Sequence, residues 1–284
     1  PTLNDANLMW QALYAGISRT NDALRRLDMI SDQELPLKVQ RQAEMRFIRA
    51  HYYFQLKILF KHIPYFDETI SKDSLPLVSN VLYTDAELWD KITDEFRFAV
   101  AHLPETQADA GRPTKRAAEA YLAKVLLYQA YEQNDQNEVV NINTDKLKEV
   151  VQLAQAIDPH YQLEDDYSKN YLWAYDNSNT ETIWAIERTI DDGTPNGRVD
   201  MSNSANYPMN QEYGCCWFHI PSQSLVNAYK TDANGLPDFD HYNDADMTSS
   251  SDFLTDDVDP RLDHTVAIPG HSFKYVPTFI YPLS

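Results

Sequence analysis

Apolar residues in the first half of the chain recur every three or four positions, and the pattern resolves into five helical segments. Trp10, Tyr14, Ile17, Asn21, Leu24 and Leu27 share a face, so Asn7 to about Met29 reads as an amphipathic helix. Ser31 followed by Glu34 is a capping-box pattern that opens the next segment, with Pro36 tolerated in its first turn. That helix runs through Glu44 to Phe60, EMRFIRAHYYFQLKILF, and stops before Pro64. Thr84 and Glu87 form a second capping box. Leu88, Ile92, Phe96 and Val100 then hold one face until Pro104 ends the helix. A fourth helix spans Lys115 to about Glu132, with Ala117, Tyr121, Val125 and Tyr128 as its stripe. A polar insert, NDQNEVVNIN, precedes the fifth, Thr144 to Ile157, which Asp158-Pro159 closes.

The Glu44 to Phe60 stretch differs from the others. Met45, Ile48, Tyr52 and Leu59 make one row, while Phe47, Phe54 and Ile58 point elsewhere. A helix apolar nearly all round, yet too short and too charged to cross a membrane, belongs between other helices. Arg46 and Arg49 sit inside it, and such charges are buried only when paired. With Glu44 they are expected to be satisfied among themselves within the helical layers, as structural residues. His51 and His62 read as satisfied helix residues. The segment endings AVAHLP and AQAIDP, with small alanines at helix contacts, resemble tetratricopeptide hairpins with a degenerate period. The expectation is of antiparallel hairpins stacked side by side.

Helical periodicity fades after Pro159. ETIWAIER, Glu181 to Arg188, alternates as a short strand would, with Trp184 in the core. Asp191 to Tyr213 reads as a long irregular loop, Ser222 to Tyr229 as a short helix, and the stretch to Asp263 as acidic and turn-rich. The chain therefore reads as mainly α: residues 1–159 form a tetratricopeptide-like helical scaffold. Residues 160–284 form a loop-rich, ligand-facing subdomain with few short strands, packed against that scaffold as part of one integrated domain. Long ordered loops on a rigid scaffold are where binding residues usually sit.

Charge and composition narrow the function. Acidic residues number 43 against 24 basic ones, a net charge of −19, which disfavours a nucleic-acid partner. No window resembles a transmembrane helix. No nucleophile elbow, zinc-protease motif or glycine-rich phosphate loop occurs, and the eight histidines are scattered. A non-enzymatic protein without a cofactor or metal is expected. Calcium is conceivable at Asp256, Asp257 and Asp259, but no EF-hand order is present and a solvated acidic loop accounts for them. The two cysteines, Cys215 and Cys216, are adjacent; they read as small buried thiols, with a vicinal disulfide or intermolecular pairing as the alternative. Tyr207, Tyr213 and Trp217 lie in or beside the polar loop together with Asn203 and Asn210. Flat rings bordered by amides suit a sugar, with its apolar C–H face and many hydroxyls. Anchoring the loop to the body is the other role open to these rings.

Several blocks, in order, resemble the SusD/RagB-like outer-membrane lipoproteins of Bacteroidetes. They are LYAGISRTNDALRRLD, EMRFIRAHYYFQLKILFKHIPYF, GRPTKRAAEAYLAKVLLYQA, TETIWAIE, PSQSLVNAYKTDANGLP and DVDPRLDHTV, spanning about residues 7 to 270. Met45 stands where that family usually has a small residue, and Lys61-His62 where it usually has two glycines. The lipid-bearing cysteine, the signal peptide and the later C-terminal helical portion are absent, so the chain reads as a piece of a longer protein. The resemblance implies a surface-exposed outer-membrane lipoprotein, anchored through an N-terminal lipid outside this chain. It would capture an oligosaccharide for uptake through a SusC-like TonB-dependent porin. The alternatives are a peptide-binding member, or a helical-repeat adaptor whose only ligand is the porin. The matched blocks are structural, so no ligand-binding residue carries over by position.

Overall fold

A computed structural model describes residues 4–176, 178–187, 220–255 and 257–281. The chain divides into two compact units, Pro1–Glu164 with Ser178–Glu187, and Asp165–Asn177 with Arg188–Ser284.

The described residues of the first unit build five α-helices: α1 (Asn4–Asp28), α2 (Lys38–Phe60), α3 (Asp85–His102), α4 (Lys115–Ala130) and α5 (Thr144–Ile157). Local chemistry sets their starts. The Thr84 hydroxyl accepts from Glu87 N at 3.3 Å and the Glu87 carboxylate accepts from Thr84 N at 2.8 Å, a complete capping box. Thr114 and Asn143 cap α4 and α5 by accepting from Ala117 N and Lys146 N. Ser31 and Glu34 also bond reciprocally, at 3.3 and 3.1 Å, but they close only a turn, and α2 starts at Lys38. Proline at position 36 has no N–H to continue the ladder, so the box and the helix are separate elements.

Each helix packs antiparallel to the next. Trp10 meets Phe60 with ring centroids 5.0 Å apart, and at the other end of the pair Gln42 donates to Asp28 at 2.8 Å. Gly16 lies at the α1–α2 contact, where a Cβ would sit 2.3 Å from the Tyr52 ring. Phe47 packs edge-on to Phe96 at 5.6 Å between α2 and α3. The Thr93 hydroxyl donates to Gln129 at 3.2 Å between α3 and α4. α2 is central: from Gln40 to Lys57 no residue is exposed, and Phe47, Ala50, Tyr53, Phe54 and Leu56 have no accessible surface at all. The enclosure ends one turn early. Ile58 and Leu59, expected inside, are exposed. Tyr128, expected in the α4 stripe, is likewise exposed; Ala118, Leu122 and Leu126 are buried instead.

The charges within α2 are satisfied, but by partners outside the trio. Arg46 and Arg49 both bond Glu95 of α3, Arg46 Nε at 3.1 Å and Arg49 Nε at 2.9 Å. Arg49 Nη1 also donates to Asn21 of α1 at 2.6 Å and to Glu68. Burial alone would lower the Arg49 pKa; Glu95 and Glu68 more than offset it, and the guanidinium is held above its ordinary value. Glu44 takes Arg41 at 2.6 Å and Arg112 at 2.9 Å. Arg46 and Arg49 stand two and five positions from Glu44, spacings that do not face each other on a helix, so the arginines reach α3 and α1 while Glu44 takes Arg41 one turn back and Arg112.

α2 ends in a tight reversal. Lys61 has φ 59° and ψ −68°, and His62 N bonds Phe60 O at 2.7 Å, a γ-turn that costs a non-glycine residue strain. Glycine is usual here in the resembling family, and the backbone explains why. The Lys61 ammonium is tied instead to Asn134 and, at 3.0 Å, to Asn137. Those asparagines lie in the turn of a hairpin, β1 (Tyr131–Gln133) and β2 (Val139–Ile142), paired antiparallel where the sequence reads only as a polar insert. Asn134 Oδ1 accepts from Gln136 N and Glu138 N, and Asn137 supplies the positive φ of the turn.

Residues 181–187 are irregular rather than a strand. Gln162 N reaches Thr180 O at 3.2 Å just before them, but no ladder follows among the described residues. Trp184 fixes the segment instead, packing edge-on to Phe47 and Tyr121 at 5.0 and 5.7 Å.

The second unit has a small core of Met247, Leu262 and Ile268, with Val226, Tyr229, Phe253, Val258 and Val266 around it. Asn227 is fully buried and fully bonded: its amide donates to Asn243 and Asp246 at 2.9 Å each, and its carbonyl accepts from Met247 N at 3.1 Å. It closes the short helix Gln223–Asn227, which Ser222 caps and which ends two residues before the expected Tyr229. An antiparallel hairpin, β3 (Ser272–Phe273) and β4 (Val276–Ile280), lies near the end of the described chain. No described helix is long and apolar enough to cross a membrane.

Candidate functional site

The first unit contains a cleft of about 530 Å³. Its floor is the α2 row Met45, Ile48 and Tyr52 with His51 beside it, and its walls are the loop Asp109–Pro113 and the residues Trp184, Ile186 and Glu187. The row is legible in the sequence as a helical stripe, but as a packing face; the structure leaves part of it open. Trp184 Nε1 donates to Gly111 O at 2.9 Å, clamping the loop to the returning segment. Gly111 has φ +76°, and a Cβ there would lie 3.0 Å from Glu187 Cγ, so glycine serves both the turn and the close approach.

Three of the charged residues lining the cleft, Glu44, Asp109 and Arg112, are paired with one another, and Glu187 lines it as well. Arg112 bridges Asp109 at 2.8 Å and Glu44 at 2.9 Å, and Gln107 donates to Glu44 at 3.1 Å. Glu44, expected to face other helices only, therefore also borders the cleft with its charge neutralised. His51 departs from expectation more sharply. Its Nδ1 is buried without a hydrogen-bond partner among the described residues, and its ring packs against Tyr121 and Trp184 at 5.2 and 5.8 Å. Burial and the nearby Lys124 hold its pKa below the ordinary value, so the ring is neutral at pH 7. An apolar floor beside a neutral imidazole suits an uncharged group with one apolar face.

The carboxylates of the acidic stretch are largely used locally. Asp232 accepts from Asn234 N and Leu236 N at 2.8 and 2.9 Å, and Asp252 from Thr248 N at 2.8 Å. Asp259 pairs with Arg261. Among the described residues no group of three or more His, Cys, Asp or Glu is arranged to hold a metal ion. Asp256, the cysteines Cys215 and Cys216, and the expected ligand contacts Tyr207, Tyr213, Trp217, Asn203 and Asn210 lie outside the described residues.

Comparison with known proteins agrees with the helical reading. Residues 2–127 match a SusD-like family described as starch-binding and associating with the outer membrane. A SusD-like protein P2 of Formosa agariphila is 34% identical over 131 residues, covering 44% of this chain and 25% of that protein. A SusD-like protein structure from Bacteroides fragilis superposes with a TM-score of 0.68 at 19% identity, covering 92% of this chain and 49% of its own. A second structure from that organism, a SusD-like carbohydrate-binding protein, gives 0.66 at 22% identity, covering 92% and 46%. At these identities the structural likeness shows the fold. The chain spans a quarter of the curated relative it matches and about half of each solved structure.

Proposed function

We propose that this chain, a SusD-like protein by its matched helices and its fold, is the glycan-capturing part of a cell-surface uptake system. It binds an oligosaccharide without turning it over and passes it to a SusC-like TonB-dependent outer-membrane transporter. A lipid anchor N-terminal to this chain holds it at the outer membrane. The match of residues 2–127 to a starch-binding, outer-membrane-associated family carries this reading. The carbohydrate-binding neighbour of the same fold supports it. Binding is reversible and modest in affinity, because a ligand handed to a transporter must also leave.

Tyr207, Tyr213 and Trp217 supply ring faces in this proposal, and Asn203 and Asn210 hydrogen bonds. Calorimetry against starch, other plant and host polysaccharides and peptides tests it, with a reducing-end assay alongside. Saturable binding of a polysaccharide without new reducing ends is the expected result. Binding of peptides only, or release of reducing ends, overturns it.

A further inference from the structure

The β1–β2 hairpin of the first unit is fixed in place yet open to solvent. Every residue of both strands is exposed, with Val139, Val140 and Ile142 of β2 at 50, 64 and 48%. Among the described residues the sheet has these two strands alone, so its outer edges are unpaired. An isolated two-stranded hairpin is marginal in water. This one is tied at both ends. At its base Asn143 N donates to Ala130 O at 2.8 Å. At its tip the Lys61 ammonium reaches Asn134 O and Asn137, and His62 stands 3.4 Å from Asp135. The strained turn at Lys61 thus serves to hold a hairpin whose own strands are wholly exposed.

A rigid edge is a template for another strand, and proteins usually blunt it with lysine, proline or an inward charge. β2 reads Val-Val-Asn-Ile and carries none of these. One face of the hairpin sets Tyr131 opposite Ile142; on the other, Asn141 donates to Glu132 at 3.0 Å, so that acid is committed. The ladder's register shift leaves Val140 without a partner on β1, which keeps any added pairing short.

Charge selects the occupant. A net charge of −19 repels a second copy at most faces, although salt limits that reach to about 8 Å under physiological conditions. β2 itself is neutral, and its flanks are opposite in sign. Glu138 precedes it, and Lys146 follows in the first turn of α5, where Asp145 is already paired with Lys148 at 2.7 Å. Antiparallel pairing of β2 with a second β2 about a two-fold axis sets neutral residues opposite neutral residues. It also brings Glu138 of each copy alongside the start of α5 in the other. The strand is therefore complementary to its own reverse, as a two-fold contact requires.

We propose that two copies of this chain associate through β2, edge to edge and antiparallel, into a weak symmetric dimer with a four-stranded sheet across the interface. One short strand pair falls below the roughly 1,200 Å² of stable interfaces, so a dissociation constant on the order of 10–100 µM is expected. Sedimentation velocity of the whole chain without ligand, from about 1 to 200 µM at physiological salt, tests it. The weight-average mass rises with concentration from that of one chain toward that of two, and amide exchange at residues 139–142 slows over the same range. Val140→Lys, which puts a charge into the neutral contact, weakens association about tenfold or more. Glu138→Lys and Lys146→Glu each weaken it about three- to tenfold, and the two together restore it. Within one chain these residues stand at opposite ends of β2, so only pairing between copies gives that rescue. Leu77→Lys, at an exposed apolar residue elsewhere in the unit, leaves association at the wild-type value. Far-UV circular dichroism is unchanged in every variant. A chain monomeric throughout the range overturns the proposal, as does association that survives Val140→Lys, is lost with Leu77→Lys, or is not restored by the charge swap. If the chain stays monomeric and a synthetic lysine-flanked valine–threonine peptide slows exchange at residues 139–142, the edge takes a foreign strand and self-pairing is wrong.

Discussion

Removing the Glu95 carboxylate should unsettle the whole helical unit, because one buried side chain neutralises two arginines of α2. Glu95 accepts from Arg46 at 3.1 and 3.0 Å and from Arg49 at 2.9 and 2.8 Å. The two arginines differ in what they could do without it. Arg46, a quarter exposed and stacked 3.9 Å over Phe98, can turn to water. Arg49 is 2% exposed and, among the described residues, keeps Glu68 and Asn21. Breaking a buried ion pair from one side costs about 3–5 kcal/mol, and the remaining Glu68 contact puts Glu95→Ala at about 3 kcal/mol. Urea slopes for domains are about 1–3 kcal/mol per molar, so the midpoint followed by circular dichroism should fall by about 1 M or more. Replacing both charges, Arg49→Met with Glu95→Leu, should cost less than Glu95→Ala alone, since no uncompensated guanidinium remains. Asp145→Asn, which breaks an exposed pair with Lys148, should leave the midpoint unmoved. A Glu95→Ala midpoint indistinguishable from that of Asp145→Asn would refute the claim that this pair holds α2 in place.

Gly16→Ala should destabilise although alanine is the better helix former. The new Cβ would lie 2.3 Å from the Tyr52 ring, and overpacking of about 1–3 kcal/mol exceeds the helical gain of about 1 kcal/mol; thermal melts of Gly16→Ala with and without Tyr52→Ala should show the second change recovering the loss. Trp184→Phe keeps the ring contacts but loses the bond to Gly111 O, and should cost about 1 kcal/mol with faster amide exchange confined to residues 109–113; uniform exchange across α2 instead would contradict a local clamp. His51 has a folded pKa held below the ordinary 6.5 by burial and by Lys124, so between those two values the unfolded chain binds the extra proton. Its contribution therefore falls as pH drops from above 6.5 toward the lowered folded value. Urea midpoints at pH 7.5 and 5.5 should differ less for His51→Phe than for the wild type, and an unchanged difference would count against a buried neutral ring.

Periodicity and caps located α1 and α3 to α5 to within a few residues, because a helix face and its first unpaired N–H groups are local properties. Thr84 with Glu87 is the clearest instance. The same local chemistry misled at Ser31 with Glu34, where the box forms but Pro36 stops propagation and α2 begins separately. The hairpin of Tyr131–Gln133 with Val139–Ile142 was hidden because its strands are exposed and carry no alternation. ETIWAIER reads as a strand because alternation describes a side-chain pattern. A strand also needs a neighbour to bond, and none lies beside residues 181–187 among the described residues.

At the site the division is similar. Met45, Ile48 and Tyr52 are visible as a row in the sequence, but whether a row is packed or left open depends on what comes to rest over it. That is decided by the α3–α4 loop and Trp184, joined through Gly111 O. The charged members of α2 show the same limit. Their burial could be read from an apolar helix interrupted by Glu44, Arg46 and Arg49; their partners could not. Electrostatic pairing acts across space between elements distant in the chain, and only the tertiary structure brought Glu95, Glu68 and Arg112 within reach. The sequence by itself determined which residues must leave water and in what local geometry. The tertiary structure decided which groups they meet there, because burial is a property of one residue and pairing a property of two.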